Sequence, residues 1–324
     1  MKSHLIYSPG YDFKFWGLDK IHPFDGFKFS KAWKLISSQH GQAANDLLIV
    51  PGRPVPDESL LKLHTGEYLT SLKSSEVISR VIEIYPAKYI PRILLDYLLI
   101  NPLKRACEGS IIAAEMALKE NAVAMNIGGG YHHAFSDHGE GFCFFADAAL
   151  SILHSRDKGL LKKDDTVLMI DLDAHRGNGF ESVVLDDPSI KIFDMYGFQS
   201  YPGMHKGQPD NFPYMIPLKS AMKDNQYLEI LENELIKFLD ENGNAKLVIY
   251  NAGNDILDED PLGSLNVSYE GVVKRDKFVI HELSKRGIPL VVMTSGGYTS
   301  QSHRLIAELA SIVIENNMYS EPTP

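Results

Sequence analysis

The chain has 324 residues, 44% of them hydrophobic, and a formal net charge of −10. An acidic balance of that size argues against nucleic-acid binding, which needs a basic surface, and is compatible with a cationic substrate. The polar start Met1-Lys2-Ser3-His4 argues against a signal peptide, and no apolar stretch is long enough to span a bilayer, since even 93–100 is interrupted by Asp96. The expectation is a soluble, cytoplasmic protein. Cys107 and Cys143 lie far apart and outside any CxxC spacing, so they read as buried free thiols of a reducing compartment.

In chain order, residues 85–102 carry three prolines among many apolar residues and read as a long irregular connection. A helix follows over 103–120. The apolar run 122–127 reads as a strand and ends in Gly128-Gly129-Gly130-Tyr131-His132-His133. After a helix over 145–155, the strand 166–170 runs into Asp171-Leu172-Asp173-Ala174-His175. A strand over 190–193 leads to a second irregular stretch, 196–217, with four prolines and several aromatics. Next come a helix over 226–241 and a strand over 246–250 that ends in Asn251-Ala252-Gly253-Asn254-Asp255. The remaining elements are a helix over 269–284, a strand over 288–293 ending in Thr294-Ser295-Gly296-Gly297-Tyr298, and a helix over 302–315.

Short strand-like runs alternating with longer helical patterns predict an α/β fold, a three-layer α/β/α arrangement around a central, mostly parallel sheet. There is no internal repeat and no Pro-, Gly- or Ser-rich linker, so a single domain over 1–320 with a short polar tail at 321–324 is expected. Long loops such as 85–102 and 196–217 read as rim or lid structures.

Four polar or glycine-rich clusters follow the carboxyl ends of strands, the edge where open α/β sheets build their sites. Strand alternation places Asp171, Asp173 and His175 on one face and Leu172 and Ala174 on the other. A carboxylate and an imidazole there suit a divalent ion, a third ligand must come from elsewhere, and Asp255 is the candidate. Taken singly, Asp171 and Asp173 are as well explained as turn caps, and Asp255 as a loop carboxylate. The coincidence of four clusters at one edge is what favours a site.

These motifs resemble the zinc-dependent histone deacetylases of the arginase/deacetylase fold. Gly129-Gly130-Tyr131-His132-His133, Gly141-Phe142-Cys143, Asp171-Leu172-Asp173-Ala174-His175, Asn254-Asp255 with Asp260-Pro261-Leu262-Gly263, and Gly296-Gly297-Tyr298 occur in that family's order. Within the family the chain is most similar to the class IV branch, through His22-Pro23-Phe24-Asp25, Asn178, and Val273-Lys274-Arg275-Asp276.

The resemblance implies a zinc ion held by Asp173, His175 and Asp255, with Fe²⁺ as an alternative occupant in the cell because two of the three donors are oxygens. It implies His132 and His133 as tandem catalytic histidines, paired with Asp171 and Asn178, and Tyr298 as the oxyanion donor. Most of the family has aspartate where this chain has Asn178, so His133 is expected to be less basic here. Gly141, Phe142 and Tyr201 are implied to line the substrate tunnel, and Asp171 and Asp194 to hold K⁺. The implied substrate is an acyl-lysine protein, with long acyl groups accommodated by residues 85–100; a small acylated amine such as an acetylpolyamine fits the same chemistry. A binuclear manganese ureohydrolase is disfavoured because Gly177 and Gly253 stand where bridging carboxylates are needed. A non-catalytic binding module is disfavoured because no ligand, tandem histidine or tyrosine is missing. Oligomeric state is not legible in the sequence.

Overall fold

The computed structural model describes residues 1–13, 23–203 and 212–318. Its strands are β1 (Ser3–Ile6), β2 (Leu48–Ile49), β3 (Val123–Asn126), β4 (Val167–Asp171), β5 (Ile190–Gly197), β6 (Tyr214–Leu218), β7 (Leu247–Asn251) and β8 (Leu290–Met293). They form one sheet in the order β2-β1-β3-β8-β7-β4-β5-β6, and every neighbouring pair is parallel. Every residue of β3, β4, β7 and β8 is buried, which is why these strands are continuous apolar runs rather than alternating ones.

Alternation survives in the direction of packing. Leu168, Ile170, Val248, Tyr250, Leu290 and Val292 join one core, whereas Val167, Met169, Leu247, Ile249, Val291 and Met293 join another on the opposite face. Helices Lys28–His40, Asp224–Glu241, Tyr269–Arg286 and Ser302–Met318 supply side chains such as Ile36, Leu231, Val279 and Val313 to the first core. The second takes Ala113 and Ala117 from helix Asn101–Glu120, Ile152 from Asp147–Asp157, and Phe180 from Asn178–Val184. The three-layer expectation therefore holds, with the sheet wholly rather than mostly parallel.

Three strands and several helices were not legible, among them Lys28–His40, Gly66–Ser71, Ser75–Val81 and Asn178–Val184. β1 and β2 have four and two residues, too few to show a pattern. β6 contains Pro217, which removes a backbone donor; the strand lies at the sheet edge, where one side needs no donor. Helix Lys28–His40 reads as mostly polar because it buries only Lys28, Phe29, Ala32 and Ile36.

Residues 85–102 are a correction of a different kind. They form a 3₁₀ turn (Tyr85–Tyr89), an α turn (Arg92–Leu95) and a π turn (Asp96–Ile100) that runs straight into Asn101–Glu120. Pro86 lies in the first turn and Pro91 caps the second, positions where proline's missing N–H costs little, whereas Pro102 directly follows the π turn inside a continuous run of helical backbone. In the second expected loop, β5 continues to Gly197 and β6 occupies 214–218, while 204–211 fall outside the described residues. His22 and the tail 321–324 also fall outside them.

Candidate active site

Asp171 closes β4 in register with Asn251 at the end of β7 and with Asp194 in β5. The strand stops there, so the pleat does not place Asp173 and His175 on a common face. A turn does so instead: Asp171 Oδ1 accepts the Asp173 backbone N–H at 3.2 Å, and Asp173 Oδ1 accepts that of His175 at 3.0 Å. These carboxylates take up backbone donors that a continued ladder would have used, the turn-forming habit of aspartate. The same three residues converge nonetheless. One donor atom each of Asp173, His175 and Asp255 lies within 4.8 Å of the others, and all three residues are buried.

The donor set fits a divalent ion. His175 Nδ1 stands 3.0 Å from both Asp173 Oδ1 and Asp255 Oδ2, while Nε2 is 3.1 Å from the Leu262 carbonyl. A carbonyl can only accept, so Nε2 carries hydrogen and Nδ1 is the ring atom turned toward the carboxylates. Burial and the facing Asp173 charge push the Asp255 carboxyl up to about 7, against the lowering effect of His175. The outer oxygens are held from behind: Gly296 N–H donates to Asp173 Oδ2 at 2.9 Å and Ala174 N–H to Asp255 Oδ1 at 2.8 Å. That approach requires glycine at 296, where a Cβ would lie 2.1 Å from Asp255 Oδ2. Arg275, fully buried on helix Tyr269–Arg286, donates to the carbonyls of Leu172 (3.0 Å) and Gly253 (2.5 Å), tying the two ligand-bearing segments together.

The histidine pair hangs from the Gly-rich turn after β3. Asp147, fully buried, accepts the backbone N–H groups of Gly130 (3.0 Å) and Tyr131 (2.9 Å) and so fixes the turn's exit. His132 Nδ1 meets Asp171 Oδ2 at 2.8 Å, and His133 Nδ1 meets Asn178 Oδ1 at 2.6 Å. Their surroundings drive them apart. Burial works against charge on His132, but Asp171 and Asp173 outweigh it and raise its pKa to about 9. Burial lowers the pKa of His133 well below the ordinary value, and the neighbouring His132 and His175 push it further down. At neutral pH one imidazole is cationic and its neighbour has a free lone pair.

Tyr298 faces this pair across a pocket lined by Gly141, Phe142, His132, His133, Asp173 and Gly296, among others. Its backbone N–H donates to Asp260 Oδ2 at 2.7 Å, and Asp260 Oδ1 also accepts from Leu262 and Gly263, so the Asp260-Pro261-Leu262-Gly263 turn anchors the tyrosine. Phe142 stacks on Phe24 with ring centroids 5.4 Å apart, while Tyr201, 39% exposed, stands edge-on to His133 at 5.0 Å. Lys28 is buried behind them, donating to the Ser295 carbonyl at 2.8 Å; burial lowers its pKa to about 8. Asp194 is fully buried beside Asp171. Its Oδ2 accepts the Gly177 N–H at 2.9 Å, and Oδ1 has no partner among the described residues.

One expectation about the pocket is overturned. Tyr85, Tyr89, Ile93 and Tyr97 are 65–81% exposed and point away from the pocket, because residues 85–100 turn their other face (Ala87, Leu95, Leu98, Leu99) into the core. The apolar wall comes instead from Phe13, Phe24, Phe29 and Phe142. Sequence reading also missed Lys28, Glu140, Asp147 and Arg275. Only Arg275 left a signal, since Arg275-Asp276 interrupt the apolar stripe Val272, Val279, Leu283 of their helix.

Comparison with known proteins bears on this arrangement. The family model for the histone deacetylase domain matches residues 22–313. Histone deacetylase 2 of Arabidopsis thaliana is 38% identical over 307 residues, covering 95% of this chain and 77% of that protein. Histone deacetylase 8 of Xenopus laevis is 28% identical over 224 residues, 65% of each chain. Among solved structures, the crystal structure of the HDA15 HD domain superposes with a TM-score of 0.74 at 19% identity, covering 100% of this chain and 90% of that one, a likeness of fold.

Proposed function

Because the chain belongs to the histone deacetylase family, we propose that it is a zinc-dependent hydrolase that removes acyl groups from the lysine side chains of proteins. The observation that carries this reading is the cluster of Asp173, His175 and Asp255 donor atoms, of which Asp173 lines one pocket together with His132, His133 and Tyr298. Asp173, His175 and Asp255 would hold the ion, which when bound would supply Lewis acidity to the substrate carbonyl and make a nearby water more acidic.

The chain's own residues do the rest. His133 takes the water's proton on Nε2, its Nδ1–H being held by Asn178, and later delivers that proton to the leaving amine. His132, kept cationic by Asp171, favours the negative charge that develops beside it. Tyr298 donates its hydroxyl hydrogen to the carbonyl oxygen as that oxygen becomes an oxyanion. Two oxygen donors against one nitrogen make a harder set than most zinc sites, which leaves room for Fe²⁺ in the cell. The unpartnered Asp194 oxygen beside Asp171 supports a K⁺ ion there. Asn178 and Val273-Lys274-Arg275-Asp276 support the class IV branch. The four phenylalanines of the pocket wall support acyl groups longer than acetyl.

The test is metal analysis of the purified protein together with an acyl series, acetyl to myristoyl, carried on lysine peptides and on small amines. One zinc per chain and turnover that rises with chain length on peptides is the expected result. Turnover confined to small amines would transfer the reading to small amides, and one zinc with no hydrolysis of either would leave a binding module.

A further inference from the structure

Beyond the donor set and the histidine pair, one carboxylate touches both Asn178, the support of the base, and Tyr201, whose ring stands against the base. Glu140 precedes Gly141-Phe142 and is tied into the mouth by the Cys143 N–H, which donates to its carbonyl at 2.7 Å. Its Oε2 accepts the Tyr201 hydroxyl at 2.5 Å and the Asn178 amide Nδ2–H at 3.4 Å; its Oε1 lies 3.4 Å from His138 Nε2. Asn178 Oδ1 in turn accepts the Gly179 N–H at 3.0 Å and meets His133 Nδ1 at 2.6 Å. Tyr201 closes the circuit by standing perpendicular to the His133 ring, 5.0 Å away.

An asparagine amide has nearly the same shape in its two flipped orientations, so its partners decide which end faces where. The Gly179 donor on one side and the Glu140 acceptor on the other select the same orientation, with oxygen toward His133. An oxygen there requires hydrogen on His133 Nδ1, and this leaves the Nε2 lone pair for the pocket. A flipped amide would present N–H to Nδ1, favour the other tautomer, and remove the base.

We infer that Glu140 is a positioning residue. Through Asn178 it holds His133 in its proton-accepting tautomer, and through Tyr201 it holds a phenol ring edge-on to that imidazole, so that both neighbours of the base share one anchor. The inference rests on His133 being the base of the proposed hydrolysis.

Its test reads the tautomer directly, without substrate, by ¹⁵N NMR of histidine-labelled zinc-loaded protein, with His133→Gln used to assign the signal. Wild type should show His133 protonated at Nδ1. Glu140→Ala should raise the Nε2–H population and lower kcat about tenfold, the size of one lost hydrogen bond, with zinc content and Tm retained. Glu140→Gln still presents an acceptor oxygen to Asn178 and Tyr201 and should recover most of the loss. An unchanged tautomer in Glu140→Ala, or a glutamine variant as impaired as the alanine one, overturns the role. If the wild type hydrolyses no acyl-lysine, the proposed function fails while the tautomer measurement still decides the part played by Glu140.

Discussion

The ends of β4 and β7 and the loops around Gly141 and Phe142 both supply carboxylates that reach the same histidine pair, and they hold them by opposite means. At the strand ends Asp171, Asp173 and Asp255 are buried, and backbone N–H groups of Asp173, His175, Gly296 and Ala174 claim their oxygens. At the mouth, Glu140 is partly exposed and is held by side chains. The backbone of Glu83, Gly141 and Phe142 around it is left-handed, with φ of 57°, 48° and 64°. Main-chain anchorage fixes the donor oxygens through the aspartate-held turns at the strand ends, which few substitutions can disturb. Side-chain anchorage makes the mouth adjustable, so reaction type belongs to the first region and substrate choice to the second.

The contrast is most exposed to failure at the metal end. Asp255→Ala should abolish turnover and reduce bound zinc toward zero in metal analysis, whereas Phe142→Ala should keep its zinc and change only the acyl preference. An Asp255→Ala protein that retains one zinc per chain would contradict the division. Next in size, Tyr298→Phe should lower kcat by about 10²- to 10³-fold, the usual effect of losing one oxyanion donor, with metal content unchanged. Near-normal turnover would remove Tyr298 from the mechanism.

The mouth's own fastening is testable through pH. His64, buried, meets the Phe135 carbonyl at 3.0 Å and accepts the Ala146 N–H at 3.1 Å, so it pins both ends of the mouth loop. Burial lowers its pKa from 6.5 to about 4. As pH falls, the unfolded chain therefore takes up this proton before the folded chain does. The stability contribution is complete above about pH 6.5 and is lost progressively down to about pH 4, roughly 3 kcal/mol in all at about 1.4 kcal/mol per unit. His64→Gln should flatten denaturant-measured stability across that window; an unaltered slope would mean that other groups dominate it. Smallest is Asn178→Asp. A carboxylate beside His133 favours the imidazolium, so the acid limb of kcat/KM should move up by about one pH unit. An unmoved limb would detach His133 from Asn178.

How much of this was legible follows the same division. β3, β4, β7 and β8 are apolar on both faces and are punctuated by glycine or aspartate, so both the strands and the clusters at their ends could be read. The convergence of Asp173 and His175 was read correctly but for the wrong reason, because sequence alternation cannot reveal where a strand gives way to an aspartate-held turn. Residues 85–102 misled because three prolines suggest irregularity, yet Pro86 and Pro91 stand at the starts of helical turns and Pro102 follows a π turn. Glu140 and Lys28 left no local signal at all. Their significance lies in contacts with Asn178, Tyr201 and Ser295, which stand 38, 61 and 267 positions away in the chain.

Two glycines beside the donor set leave no room for a larger residue. A Cβ at position 253 would sit 2.2 Å from Asp173 Oδ2, and one at position 177 would sit 2.8 Å from Asp171 Oδ2. Any larger residue there must first evict a carboxylate already in service. A bridging carboxylate for a second ion could therefore be added at either position only by moving Asp173 or Asp171.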